Sequence, residues 1–375
     1  MDNISRRARA IAFYLPQFYP IPENNQWWGN GFTEWANVVK ARPLFKGHYQ
    51  PHLPKDLGFY DLRVPEVREQ QAELARYAGI EGFCYWHYWF GSGKKVLERV
   101  FTEVLESGKP DFPFCLGWAN ESWTGRWHGL DSQVIFEQTY PGLADYRHHF
   151  EDLLCAFKDR RYIEVDGRKL FIIYRPDFIP DLDDFLSCWN DLARQNGLRG
   201  FFFVSANIFF NHRTHKSMDG AFPRDIHEIM TVLPSRSLTS VLQGVARKLG
   251  LGSKSPTRLI DSVPLHREYS DFVDWISSRR LEQDIYPCVI PNWDNTPRSG
   301  ARGLVLQNSS PSLFAKMIEA ELTKISDRPM DKRLVFIKSW NEWAEGNYLE
   351  PDQRFGSQYL DVLREALLTK NCGEH

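Results

Sequence analysis

At 375 residues the chain has room, at roughly 150 residues per domain, for one large barrel or two ordinary domains, and for a real core in either case. Lys and Arg number 46 against 48 Asp and Glu, so a net charge of −2 leaves no basic surplus for gripping nucleic acid or an anionic membrane. Hydrophobic residues at 42% and charged residues at 25% exclude a disordered or fibrous chain, and the unusual feature is an aromatic content of 14% that includes 13 Trp.

The first residues, Met1 to Arg7, lead into a short apolar run broken at Pro16, which is not the h-region of a secretory signal, and no stretch has the roughly 18 apolar residues of a membrane span. The expectation is a cytoplasmic protein. Its six cysteines lack CxxC spacing and read as reduced, buried thiols, not a disulfide or zinc framework.

Ala10 to Leu15 is the first of eight short apolar runs that read as parallel strands buried on both faces. An aromatic-rich excursion from Pro16 to Lys55 follows it, and then a helix, Pro65 to Tyr77, opened by proline. Strand Ile80 to Trp86, helix Lys95 to Glu106, strand Phe112 to Trp118, helix Leu143 to Asp159, strand Leu170 to Tyr174 and helix Leu182 to Gln195 continue the alternation. Strands Phe201 to Ala206 and Met218 to Phe222 come next. The segment 224–266, with a glycine- and serine-rich stretch from Leu249 to Pro256, reads as a loop insertion or lid. Helix Glu268 to Leu281, strand Ile285 to Ile290, helix Ser312 to Ile325, strand Leu334 to Trp340 and helix Ser357 to Leu368 complete the series. Eight strands alternating with helices, without a composition break, predict an α/β fold: a single (β/α)₈ TIM-type barrel over residues 1–375 with long aromatic-rich βα loops.

Barrels place reactive groups just past their strands. Two such ends resemble each other. Trp118-Ala119-Asn120-Glu121-Ser122-Trp123 follows the third run, and Trp340-Asn341-Glu342-Trp343-Ala344-Glu345 ends the eighth. Carboxylates beside large apolar rings are poorly solvated, which raises the pKa of one of them into the range of a general acid. Glu342 and Glu345 are three apart, so one helical turn would place both on one face, close enough for retaining glycoside chemistry. Sugars need flat apolar faces and planar hydrogen-bonders. Trp35, Trp86, Trp118 and Trp123, with His87, are expected to line one cleft, and Tyr14, Asn120, Glu121, Asn341 and Trp343 complete the candidate binding set.

His48 and His52 have the spacing of a helical metal pair, but Pro51 between them argues against a helix, and no metal is expected. Asp181-Leu182-Asp183 has the form of a metal-binding DxD yet sits at a helix start, where acids are ordinary. No phosphate-binding GxxxxGK[ST] and no helix-opening GxGxxG occur, so no cofactor is expected.

Ile11 to Phe18, Gly31-Phe32-Thr33-Glu34-Trp35, Gly47 to Pro54, Trp118 to Glu121 and Trp340 to Trp343 together resemble the bacterial WbsX family across nearly the whole chain. That family is usually labelled glycosyltransferase, is found among polysaccharide assembly genes, and is related to glycoside hydrolase family 99. The resemblance implies a metal-free (β/α)₈ fold of the endo-α-mannosidase type. It assigns Glu342 to deprotonating the sugar 2-hydroxyl and Glu345 to protonating the leaving oxygen, with a 1,2-anhydro sugar between two steps of net retention. The expected partner is an oligosaccharide or polysaccharide. Two alternatives stand beside this reading: a glycosyltransferase using an activated donor for surface polysaccharide (O-antigen or capsule), and a non-catalytic sugar-binding barrel.

Overall fold

The computed structural model describes residues 4–124, 134–208, 216–223, 226, 228 and 263–370. In chain order its main elements are β1 (Arg9–Tyr14), α1 (Glu34–Lys40), α2 (Pro65–Tyr77), β2 (Gly82–Trp89), α3 (Arg99–Ser107), β3 (Phe114–Trp118), α4 (Leu143–Lys158) and β4 (Arg168–Ile173). There follow α5 (Leu182–Gln195), β5 (Phe201–Ile208), β6 (Gly220–Pro223), α6 (Tyr269–Ser278), β7 (Cys288–Val289), α7 (Pro311–Lys324), β8 (Leu334–Ile337) and α8 (Gln358–Leu367). All eight apolar runs overlap a strand. The 224–266 insertion, including the Leu249–Pro256 stretch, lies almost wholly outside the described residues.

The strands form one parallel sheet in the order β6-β5-β4-β3-β2-β1-β8-β7. It curls into a barrel because Ala221 on β6 meets the residues just before β7: its N–H donates to the Asp284 carbonyl at 2.9 Å and its carbonyl accepts from Tyr286 at 2.8 Å. The helices cover the outside through apolar stripes. On α5, Leu182, Phe185, Leu186, Trp189, Leu192 and Ala193 recur at helical spacing and are all buried. One expected boundary moves. Lys95–Val96 pairs antiparallel with Tyr88 and Trp89, so the helix predicted from Lys95 starts only at Arg99.

Side chains of a strand alternate between the barrel interior and the helix layer. Inside, the rings of Phe13 and Trp86 stack at 4.7 Å, with Phe222 5.5 Å from Phe13 and Phe336 4.9 Å from Phe222. Gly117 leaves room for this layer, since a Cβ there would lie 3.1 Å from both the Trp86 ring and the Cys84 sulfur. The neighbours of these residues therefore point outward. Tyr14 donates to Gln71 on α2 at 2.7 Å, His87 shares a 2.8 Å hydrogen bond with His149 on α4, and Trp118 packs 5.5 Å from Phe185 on α5. This corrects the expectations that His87 and Trp118 line the cleft and that Tyr14 belongs to the binding set. Among the cysteines, Cys84, Cys115, Cys188 and Cys288 are buried as anticipated, whereas Cys155 is exposed on α4.

The His87–His149 pair sits in an aromatic box, His149 lying flat on Trp89 at 4.6 Å. Burial pulls His87 down to about 4 and pulls His149 well below its ordinary range. In the unfolded chain both bind protons near pH 6.5, so stability is full above that pH and falls as the pH drops toward 4, by about 1.4 kcal/mol per unit for each group. In NMR titrations both imidazoles should stay neutral down to pH 5.5 while the unfolding free energy declines. A midpoint near 6.5 for either ring would contradict this.

Candidate functional site

The site is built on the turn after β8. Asn341–Glu342 pairs antiparallel with Asn347–Tyr348, and Trp343–Glu345 forms a 3₁₀ turn between them, closed by Gly346 at φ +56°. The expected α-helical turn is thus a tight hairpin tip. Glu342 lies just before that turn, at φ −86° and ψ 64°, and its side chain and that of Glu345 converge on one partner.

That partner is a single guanidinium. Arg298, in the short turn Thr296–Ser299 after β7, donates through Nη1 to Glu342 at 3.1 Å and to Glu345 at 2.8 Å. Its Nε and Nη2 both reach one oxygen of Glu34 at 3.1 Å, at the start of α1. Two oxygens bonded to one nitrogen cannot be farther apart than the two distances together, about 6 Å. Ser339 adds a long contact to the other Glu342 oxygen at 3.4 Å.

Three buried carboxylates face two cations here, Arg298 and Lys338. Burial works against the Arg298 charge, yet Glu34, Glu345 and Glu342 hold it above its ordinary range. Burial likewise opposes Lys338, and Tyr174, Glu345 and Glu342 outweigh it. One carboxyl titrates close to neutrality. Burial, reinforced by the charge on Glu342, pushes Glu345 up to about 7, with Arg298 and Lys338 pulling the other way.

The barrel interior supplies the floor and walls. Tyr88, the inward neighbour of His87, has its phenol pushed up by burial and by Glu342. Trp123 stands edge-on to Tyr88 at 5.1 Å, Trp86 edge-on to Tyr174 at 5.6 Å, and Lys338 Nζ lies 5.3 Å from the centre of the Trp293 ring. Trp86, Trp123 and Tyr174 are only partly buried. Tyr88, Tyr174, Arg298 and Lys338 were not singled out from sequence. Tyr88 was within reach, because Trp86 and Tyr88 share a strand face from which His87 is excluded.

The repeated Asn-Glu pair turns out to contain a structural device. Asn341 accepts from the Leu15 N–H at 2.8 Å and donates to its carbonyl at 3.0 Å, just past β1. Asn120 makes the same paired contact to Arg175, just past β4, at 2.8 and 2.7 Å. Each asparagine clips its strand end to the next strand, and both are fully buried. The following glutamates differ. Glu121 pairs with Arg175 at 2.6 Å and is partly exposed, separate from the Arg298 cluster though past a strand of the same parallel barrel.

Trp35 and Trp343 are also enclosed, which removes them from the expected sugar-contacting set. The Trp35 indole donates to the Tyr60 carbonyl at 2.8 Å, and its ring packs 5.6 Å from Trp343. Trp343 stacks on Tyr348 at 3.8 Å and donates to Glu350 at 2.6 Å. Glu350, a buried carboxyl that burial raises to about 7, also accepts from Gln71 and Tyr60 and so braces the hairpin from beneath.

The profile of the family described as Glycosyltransferase WbsX matches residues 10–363. The chain belongs to the WbsX family. It is 37% identical over 369 residues to WxcX, an uncharacterized protein of Xanthomonas campestris pv. campestris, covering 96% of this chain and 50% of that protein. The chain thus spans about half the length of the curated relatives it matches. A solved structure described as a glycoside hydrolase-like protein superposes with a TM-score of 0.58 at 12% identity, over 96% of this chain and 94% of that one. The GH99 endo-alpha-mannosidase from Bacteroides thetaiotaomicron, in complex with BIS-TRIS-Propane, gives 0.51 at 15% identity, over 96% and 98%. These likenesses establish a glycosidase-type (β/α)₈ fold for this WbsX chain. Among the described residues no helix is long and apolar enough to cross a membrane.

Arg298 stabilises the ionised form of Glu345, so its removal strengthens the hold on the proton. In carboxyl infrared difference titrations against Glu345→Gln, Glu345 should titrate near 7, and Arg298→Gln should move that midpoint upward. An unchanged or lower midpoint would show that the guanidinium does not govern the pair.

Proposed function

We propose that this WbsX chain acts as a single catalytic domain that cleaves, or transfers across, an α-glycosidic bond with retention of configuration. The observation that carries the reading is the Glu342–Glu345 pair on one guanidinium, with Glu345 raised to about 7. A carboxyl that holds its proton near neutrality is suited to protonating a leaving oxygen. The bonded oxygens of Glu342 and Glu345 lie no more than about 6 Å apart, below the roughly 6.5 to 9.5 Å of inverting enzymes.

In the proposed reaction Glu342 takes the proton of the sugar 2-hydroxyl as that oxygen attacks the anomeric carbon. Glu345 gives its proton to the departing oxygen as the glycosidic bond breaks, leaving a 1,2-anhydro sugar. In the second step Glu345, now ionised, takes a proton from the incoming hydroxyl, and Glu342 returns its proton to the 2-oxygen as the three-membered ring opens. Water gives hydrolysis and a sugar hydroxyl gives transfer. The description of the family as glycosyltransferases favours transfer over hydrolysis as the biological outcome. Trp86, Trp123 and Tyr174 offer the partly open aromatic faces on which a pyranose stacks.

A panel of defined α-linked oligosaccharides, with and without sugar nucleotides, tests the reading. Turnover should need no nucleotide. Glu342→Gln should lose about 10² to 10⁴ in rate on every substrate, and Glu345→Gln should lose most on poor leaving groups. A 2-deoxy substrate should be inert. Activity only with a sugar nucleotide would replace this reading with the activated-donor one, and normal turnover of the 2-deoxy sugar would exclude the anhydro route.

A further inference from the structure

We propose that His48 is a positioning residue that acts through Asp294 to hold Arg298 on Glu342 and Glu345, an inference that rests on the glycosidic reading of that pair. It assigns a task to the Gly47–Pro54 segment, which stands out in the sequence but touches no reacting group.

His48 is buried, its ring stacked on Phe45 at 4.5 Å. Its Nδ1 accepts the Leu44 N–H at 3.0 Å, which leaves the ring proton on Nε2. That Nε2–H donates to Asp294 Oδ2 at 2.6 Å, and Gln50 donates to the same oxygen at 2.7 Å. The other oxygen, Oδ1, accepts from the Thr296 N–H at 3.0 Å and the Thr296 hydroxyl at 2.6 Å. Thr296 opens the four-residue turn that carries Arg298. Burial works against the Asp294 charge, but the bonds from His48 and Thr296 contribute to holding it below its ordinary range.

Asp294 also touches the glutamate side of the site. A Cβ on Gly346, the residue after Glu345, would lie 2.8 Å from the Asp294 backbone nitrogen, so the two turns pack backbone to backbone. Farther along the same segment, His52 bonds the Tyr348 hydroxyl at 2.6 Å, and Tyr348 stacks on Trp343 between the two glutamates. Residues 48 and 52 therefore grip the arginine turn and the glutamate hairpin respectively. Prolines 51 and 54 stiffen the backbone between and beyond them. A shift of about 1 Å in a group that aligns reacting atoms costs on the order of 10²-fold in rate.

The groups that face Glu345 are Glu342, Glu34, Arg298, Lys338 and Tyr88, so a displaced Arg298 has a direct readout there. The test compares His48→Phe, which keeps the stacking ring but donates nothing, with His48→Gln, whose amide places an N–H where Nε2 was. In the full chain His48→Phe should lower kcat about 10- to 100-fold with KM changed little, and should raise the Glu345 titration midpoint. His48→Gln should restore both toward wild type. Wild-type kcat and midpoint in His48→Phe would overturn the proposal, as would equal impairment of both variants with Glu345 unmoved, since that is the signature of packing alone. Thr296→Val, which deletes only the hydroxyl bond to Asp294, should move both readouts the same way, and no movement in it also counts against the proposal. The titration does not depend on turnover. If Glu345→Gln stays fully active the glycosidic reading falls, while the midpoint in His48→Phe still decides the role of His48.

Discussion

A single guanidinium is the constraint on which the rest of the site depends. Glu34 comes from the loop after β1, Glu342 and Glu345 from the hairpin after β8, and Arg298 from the turn after β7. Each is buried or nearly so, and an unpaired buried charge costs several kcal/mol. The three loops must therefore arrive together or not at all. Arginine suits the task because its planar fork offers separate donors in fixed directions: Nε and Nη2 serve Glu34, and Nη1 is left to bridge the pair. With Lys338 as the second cation, one proton on Glu345 brings the cluster to charge balance. Burial and the neighbouring charge of Glu342 thus push the Glu345 carboxyl up to about 7.

Strand alternation decides which aromatic residues share that space. The run Tyr85-Trp86-His87-Tyr88-Trp89 is a list of alternating destinations: Trp86 and Tyr88 turn inward, while Tyr85, His87 and Trp89 turn to the helices. The outward set is far from inert. His87 and His149 form a neutral pair in an aromatic box, and Tyr14 is linked through Gln71 to the Glu350 network under the hairpin that carries Glu342 and Glu345. Much of the polar chemistry that a motif search collects is in this way supporting structure, as with Asn120 and Asn341, whose side chains stitch neighbouring strand ends together.

The barrel was legible because fully buried parallel strands leave continuous apolar runs, and each of the eight runs overlaps a strand. Helix Pro65–Tyr77 and helix Leu182–Gln195 were readable to the residue, the first from its opening proline and the second from its apolar stripe. The glutamate pair was legible as well, since two acids among tryptophans at a strand end are conspicuous. Arg298 was not. It lies in Thr296-Pro297-Arg298-Ser299, a stretch with no pattern of its own, and its importance comes only from three segments meeting around it. Tyr14, His87 and Trp118 were misplaced for a different reason: they sit at strand ends, and period-two alternation sends half of such residues outward. His48 and His52, read as a failed metal pair, are two separate grips whose partners lie some 250 to 300 residues away in sequence.

The central claim is that the face shared by Glu342 and Glu345, and not the tryptophan-rich outer loops, receives the scissile bond. A crystal structure of the Glu345→Gln variant with an intact α-linked oligosaccharide tests it most directly. The account expects one pyranose at the barrel mouth with its 2-hydroxyl within about 3 Å of Glu342 and its glycosidic oxygen within about 3 Å of residue 345, both ordinary hydrogen-bond distances. Its apolar face should rest on Trp86, Tyr174 or Trp123. A sugar bound elsewhere on the barrel, or at the mouth with neither oxygen in reach of those two positions, would contradict it.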